Sequence, residues 1–119
     1  MKKIGFIGAY DKTDLIIYIA KILTTLKKKV LVIDATTKQK ARYVVPVINP
    51  TKMYVTEYEE IDIAVGFPNI EDIKRYLGYS EEQDLDYDIV LIDTDSIEGF
   101  SIFKLEESFK NYFVTSFDA

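Results

Sequence analysis

Cysteine, histidine and tryptophan are all missing from the 119 residues. Without Cys or His there is no thiol nucleophile, no imidazole base and none of the usual zinc sites. Any chemistry therefore falls to carboxylates, Lys, Arg, Tyr, Ser or Thr. The same absence suits a reducing compartment. No apolar run approaches the roughly 18 residues of a membrane helix. The opening Met1-Lys2-Lys3-Ile4-Gly5-Phe6-Ile7-Gly8 is short and turns polar at Asp11, unlike a secretory signal. The expectation is a cytoplasmic protein without a membrane span. Repeats, linkers and low-complexity tracts are absent too.

What is present suffices for one domain. With 48% hydrophobic residues, a chain of this length buries on the order of two-thirds of its unfolded surface without a disulfide or metal staple. The net charge of -5 is unevenly spread: residues 1–53 hold 11 Lys/Arg against 3 Asp/Glu and residues 54–119 hold 4 against 17, or +8 and -13. The favoured reading is that the halves neutralise one another in the fold or between subunits. The alternative is a basic face for nucleic acid, with Lys38, Lys40, Arg42 and Lys52 as its best candidates, but no aromatic-interleaved nucleic-acid motif accompanies them.

Residues 2–8 read as a buried parallel strand, apolar in the middle rather than alternating. A helix over 12–27 follows, with Leu15, Ile19, Ile22, Leu23 and Leu26 as one stripe widened by Ile16, Ile17 and Ala20. Lys27-Lys28-Lys29 complements its C-terminal dipole. Val30-Leu31-Val32-Ile33 is a second parallel-type strand ending at Asp34, completing a βαβ unit. Residues 36–43 read as loop or short helix. Met53 to Tyr58 and Ile61 to Val65 form one bent strand or an edge hairpin, with Tyr54 and Tyr58 packing on it. Asn69 caps a helix bearing Ile70, Ile73, Tyr76 and Leu77, stopped by Gly78. Residues 87–93 form a third buried strand, Ser101 caps a helix carrying Ile102, Leu105 and Phe109, and Tyr112 to Phe117 make the last strand. The fold class is α/β, a three-layer sandwich around a mainly parallel sheet.

In such a sheet the C-terminal strand ends share one rim, where ligands bind. The turn Gly8-Ala9-Tyr10-Asp11-Lys12-Thr13 reaches it, as do Asp34, Asp93 and Asp95. A strand-to-helix turn of small residues followed by Lys-Thr is the setting of a phosphate-binding loop: backbone N–H groups converge on phosphate, Lys reaches the outer phosphates and Thr holds Mg²⁺. Here Asp11 stands where the motif needs glycine. A carboxylate about 4 Å from a phosphate charge is unfavourable by roughly 4 kcal/mol at an effective dielectric of 20. Asp11 can instead cap the helix by accepting the N–H of Thr13 or Asp14, taking the place of a phosphate, and Lys12 can pair with Asp93.

The segments Lys3-Ile4-Gly5-Phe6-Ile7-Gly8 to Thr13, Lys29-Val30-Leu31-Val32-Ile33-Asp34-Ala35 and Tyr87-Asp88-Ile89-Val90-Leu91-Ile92-Asp93-Thr94 resemble the ParA/MinD-type deviant Walker P-loop NTPases, which implies a P-loop NTPase-like, Rossmann-like fold. The family loop Lys-Gly-Gly-x-Gly-Lys-Thr falls on Ile7 to Thr13. The resemblance implies nucleotide contacts from Gly8, Ala9, Asp11, Lys12 and Thr13, Mg²⁺ at Thr13 and Asp93, and Asp34 as the catalytic aspartate near the attacking water. The signature lysine is replaced by Ile7 and the last loop glycine by Asp11. The chain is about half the family's usual length, and the expectation is a single ParA/MinD-like domain, either a whole protein or the N-terminal domain of a longer one.

The leading expectation is a degenerate domain that binds a protein partner or itself, without nucleotide and without efficient ATP hydrolysis. The alternatives are a weak Mg-ATP switch using Lys12, Thr13, Asp34 and Asp93, and a receiver-like regulatory domain. Against the last, Gly8-Ala9-Tyr10 stands where paired acids belong.

Overall fold

The computed structural model describes residues 1–36 and 53–114. The expected loop or short helix over 36–43, except its first residue, and the basic candidates Lys38, Lys40, Arg42 and Lys52 lie outside the described residues, as does the end of the last strand, 115–117.

The three apolar runs form the centre of one sheet. β1 (Lys2–Ile7), β2 (Val30–Asp34) and β5 (Ile89–Thr94) lie side by side. The full order is β3-β4-β2-β5-β1-β6, with β3 (Tyr54–Tyr58), β4 (Ile61–Val65) and β6 (Lys110–Phe113) completing it. All neighbouring pairs are parallel except β3 with β4. Every residue of β2 is buried, which is why its sequence is apolar without alternation.

β3 and β4 are a hairpin rather than one bent strand. Its turn is Glu59-Glu60, both at positive φ (51° and 71°), as a two-residue turn of the I′ kind demands. Tyr54 is buried and Tyr58 packs against the same core.

Helices lie on both faces. α1 (Thr13–Thr25) packs Ile16, Ile17 and Ala20 with Val30, Val32, Ile61 and Ile63. On the opposite face Ile73 of α2 (Ile70–Tyr76) and Phe103 and Leu105 pack with Leu31, Ile33, Val90 and Ile92. The Asn69 side chain accepts the Asp72 N–H at 2.8 Å, the expected cap, and Gly78 ends the turn at φ 84°.

Three expectations need correction. α1 spans 13–25 rather than 12–27, and its expected stripe is not the buried face: Leu15, Ile22 and Leu26 are 36%, 44% and 63% exposed. Apolar residues cover more than half of this helix's circumference, so periodicity alone does not say which side meets the sheet. The helix α3 (Ile97–Ile102) begins at Ser96, whose hydroxyl accepts the Gly99 N–H at 3.0 Å, so Ser101 lies inside it. After α3, Lys104 turns at φ 54° into a short 3-10 turn, Leu105–Glu107. Leu105 is buried there but Phe109 is exposed. The last strand begins at Lys110, two residues before Tyr112.

Candidate functional site

The parallel register brings the three candidate segments to one rim. Asp34 is paired with Asp93 across β2 and β5, and Ile7 with Thr94 across β1 and β5. The loop 8–12 then folds back over these ends. Gly8 donates its N–H to the Thr94 carbonyl at 3.1 Å. A Cβ on Gly8 would collide with the Val114 carbonyl, so the close approach of the chain after β6 requires glycine here.

Lys12 precedes α1 and turns inward, only 2% exposed. Its Nζ donates to the Gly8 carbonyl at 2.7 Å and the Thr94 carbonyl at 3.1 Å. Asp93 Oδ1 stands 2.7 Å away, a close and buried ion pair. An ammonium has three donors. Here two go to main-chain oxygens, and a carboxylate supplies the counter-charge.

Asp93 is itself 3% exposed. Burial pushes its carboxyl up to about 6; the Lys12 ammonium opposes this shift, and the nearby Asp34 and Asp95 reinforce it. Asp34, also buried, accepts the N–H of Thr36 at 3.0 Å and its hydroxyl at 2.5 Å on the same Oδ1. This is the local Asx arrangement that ends many strands.

Asp11 accepts the Thr13 N–H at 3.1 Å. The expected Asp11–Thr13 contact is therefore present, as an Asx turn one residue ahead of the helix N-cap position, Lys12, which itself has no side-chain cap. Thr13 is buried and Tyr10 is largely exposed. Ala9, Asp11, Lys12, Thr13, Thr36, Asp93 and Asp95 line a small pocket of about 60 Å³. Small-molecule sites are commonly several times larger, about 300–1,000 Å³. A wider cleft of about 370 Å³ lies beside it, between Asp34 to Thr36 and Gly66 to Pro68.

The structure thus gathers Gly8, Ala9, Asp11, Lys12, Thr13, Asp34 and Asp93 at one end of the sheet. The contribution of Thr36 was missed by sequence reasoning. Its signal is the Asp-x-Thr spacing after an apolar strand, which favours an Asx turn.

The fit of Mg-ATP to these residues is poor as they stand. Lys12 is committed to protein oxygens, Asp11 occupies an amide, and three carboxylates face the pocket. The chain matches no protein-family model, no curated relative and no solved structure.

Proposed function

We propose that this is a ParA/MinD-like, P-loop NTPase-like domain whose phosphate loop is filled by its own side chains, and that it acts as a protein-interaction module rather than by hydrolysing ATP. The observation carrying this reading is the closed set Lys12–Asp93–Gly8–Thr94, with Asp11 on the Thr13 amide. A nucleotide would have to break a buried ion pair and displace a carboxylate. The ammonium already has partners, so a phosphate would gain only the difference between itself and the groups it displaces.

Calorimetric titration with Mg-ATP, with a phosphate-release assay alongside, tests the proposal. The expected result is neither saturable heat nor turnover. Micromolar binding and turnover, both lost in Lys12→Ala, would refute it.

A weak nucleotide switch is the second reading, favoured by the convergence of Lys12, Thr13 and Asp93 on one pocket. Under that reading Asp11→Gly strengthens an affinity the parent already has. A parent protein with no affinity ends it.

A further inference from the structure

The two faces of the sheet are covered unequally. On the face of α2 and α3, cover extends across to β1, where Leu105 lies against Gly5. On the other face α1 packs on β2, β4 and β5. Among the described residues no helix is centred over β6 and the adjoining edge of β1 there, and a groove of about 630 Å³ follows.

Leu15, Ile19 and Leu23 of α1 form its wall. Its floor is the half-buried Ile4 and Ile89 with Tyr112, which stacks at 5.4 Å on Phe6; Phe6 and Leu91 lie beneath, already buried. Phe113 stands at the outer rim, 71% exposed. Strands lie about 4.8 Å apart, so β1 and β6, with the flank of β5 that α1 leaves uncovered at Ile89, offer a floor approaching the width of one helix, about 10 Å. The shape suits a second helix lying beside α1.

Charge narrows the occupant. Side chains alternate along strands, which puts Lys2 on the groove face with Ile4 and Phe6, and Lys110 there with Tyr112. Lys110 is paired with Ile4 across β1 and β6, so both ammonium groups stand at the same end of the groove, where the strands begin. Lys2 Nζ lies 4.6 Å from the Phe109 ring and Lys110 Nζ 5.3 Å from that of Tyr112. α1 also finishes at this end, followed by Lys27 and Lys28 before β2 starts. A helix running with α1, opposite to the strands, would bring its negative C-terminal pole to these lysines.

We propose that this groove docks one amphipathic helix from another polypeptide, with its apolar stripe on the floor and Asp and Glu in its last turn beside Lys2 and Lys110. The proposal deepens the interaction-module reading and rests on it. A second copy of this chain suits the groove less well. Reciprocal two-fold seating, with each α1 in the other's groove, runs the two helices parallel and brings one copy's Lys27-Lys28-Lys29 onto the other's Lys2 and Lys110.

The test uses the whole 119-residue chain and a fluorescein-labelled amphipathic peptide of about 18 residues, ending in Glu, against a twin ending in Lys. Fluorescence anisotropy should show the acid-ended peptide binding about tenfold more tightly than its twin. The double variant Lys2→Glu/Lys110→Glu should invert that preference. Phe113→Glu, at an exposed site that leaves the fold intact by circular dichroism, should weaken binding of both peptides.

Equal affinities for both peptides, unchanged by the charge reversal, would overturn the proposal. So would a failure of both to bind, whether the protein is a monomer or a dimer that Phe113→Glu dissociates. The nucleotide titration separates the two claims: Mg-ATP binding with peptide docking intact refutes the closed-loop reading alone, whereas no ATP binding and no peptide binding refutes the docking alone.

Discussion

Lys12 and Asp93 hold each other in a place where neither would stay alone. Removing one leaves the other buried and uncompensated, so Lys12→Met should cost about 3–5 kcal/mol, whereas the apolar double variant Lys12→Met/Asp93→Leu should cost much less. Urea unfolding of the two variants measures the difference. The raised Asp93 pKa, about 6, has a definite sign. Between the ordinary carboxylate value of about 4 and this folded value, the folded state keeps a proton that the unfolded chain has lost. Stability from this group therefore falls as pH rises through that window, by up to about 1.4 kcal/mol per pH unit, and levels off above it. Asp93→Asn should remove that component of the slope when unfolding curves at about pH 4 and pH 7 are compared with those of the parent. At this scale the sequence was informative where chemistry is local. The Asp11–Thr13 contact is read from three adjacent residues, because a carboxylate two positions before an amide can reach it without help from the fold.

At the scale of elements, legibility depended on whether a segment's surroundings resemble those its pattern implies. The sequence expectation for β2 and β5 agrees with the structure because strands buried on both faces need only be apolar, whereas β1, also expected to be buried, is buried only at Gly5 and Phe6. The Asn69 helix agrees because its cap and its stop are both local signals. α1 does not, since periodicity identifies an apolar side but not what lies against it. On its outer flank Leu15 borders a groove together with Ile19 and Leu23, and Ile22 and Leu26 are exposed. The Ser101 cap failed for a related reason: Ser96 and Ser101 both precede helix-compatible residues, and only packing selects between them. Gly99 fits against Thr94 where a Cβ would clash with the threonine side chain, which anchors the helix that starts at Ser96. The β3–β4 turn carries a separate prediction. Glu60 sits at φ 71°, a left-handed conformation that costs a non-glycine residue about 1–2 kcal/mol. Glu60→Gly relieves it but frees the unfolded chain, which takes back part of the gain. The net expectation is a stabilisation of about 0.5–1 kcal/mol in thermal or urea melts, with the Lys21–Glu59 ion pair (2.8 Å) untouched.

Across the whole molecule, a six-stranded sheet gathers charged residues at its C-terminal rim and, among the described residues, leaves an apolar groove at the β1–β6 end of one face. Neither feature is visible in composition. The rim emerges only when the parallel register sets Asp34 beside Asp93, and the groove only when three strands separated in sequence become neighbours. The split between a basic first half and an acidic second half is partly neutralised in the fold, through Lys12 with Asp93, Lys21 with Glu59 and Lys29 with Asp86. Lys2 and Lys110 instead flank the apolar groove. The most direct test of the central claim, a phosphate loop satisfied by its own side chains, follows the backbone amide resonances of residues 8–13 as Mg-ATP is added to the parent protein. The account predicts no saturable shift up to millimolar nucleotide. Saturation at micromolar concentration, centred on Gly8, Lys12 and Thr13, would contradict it.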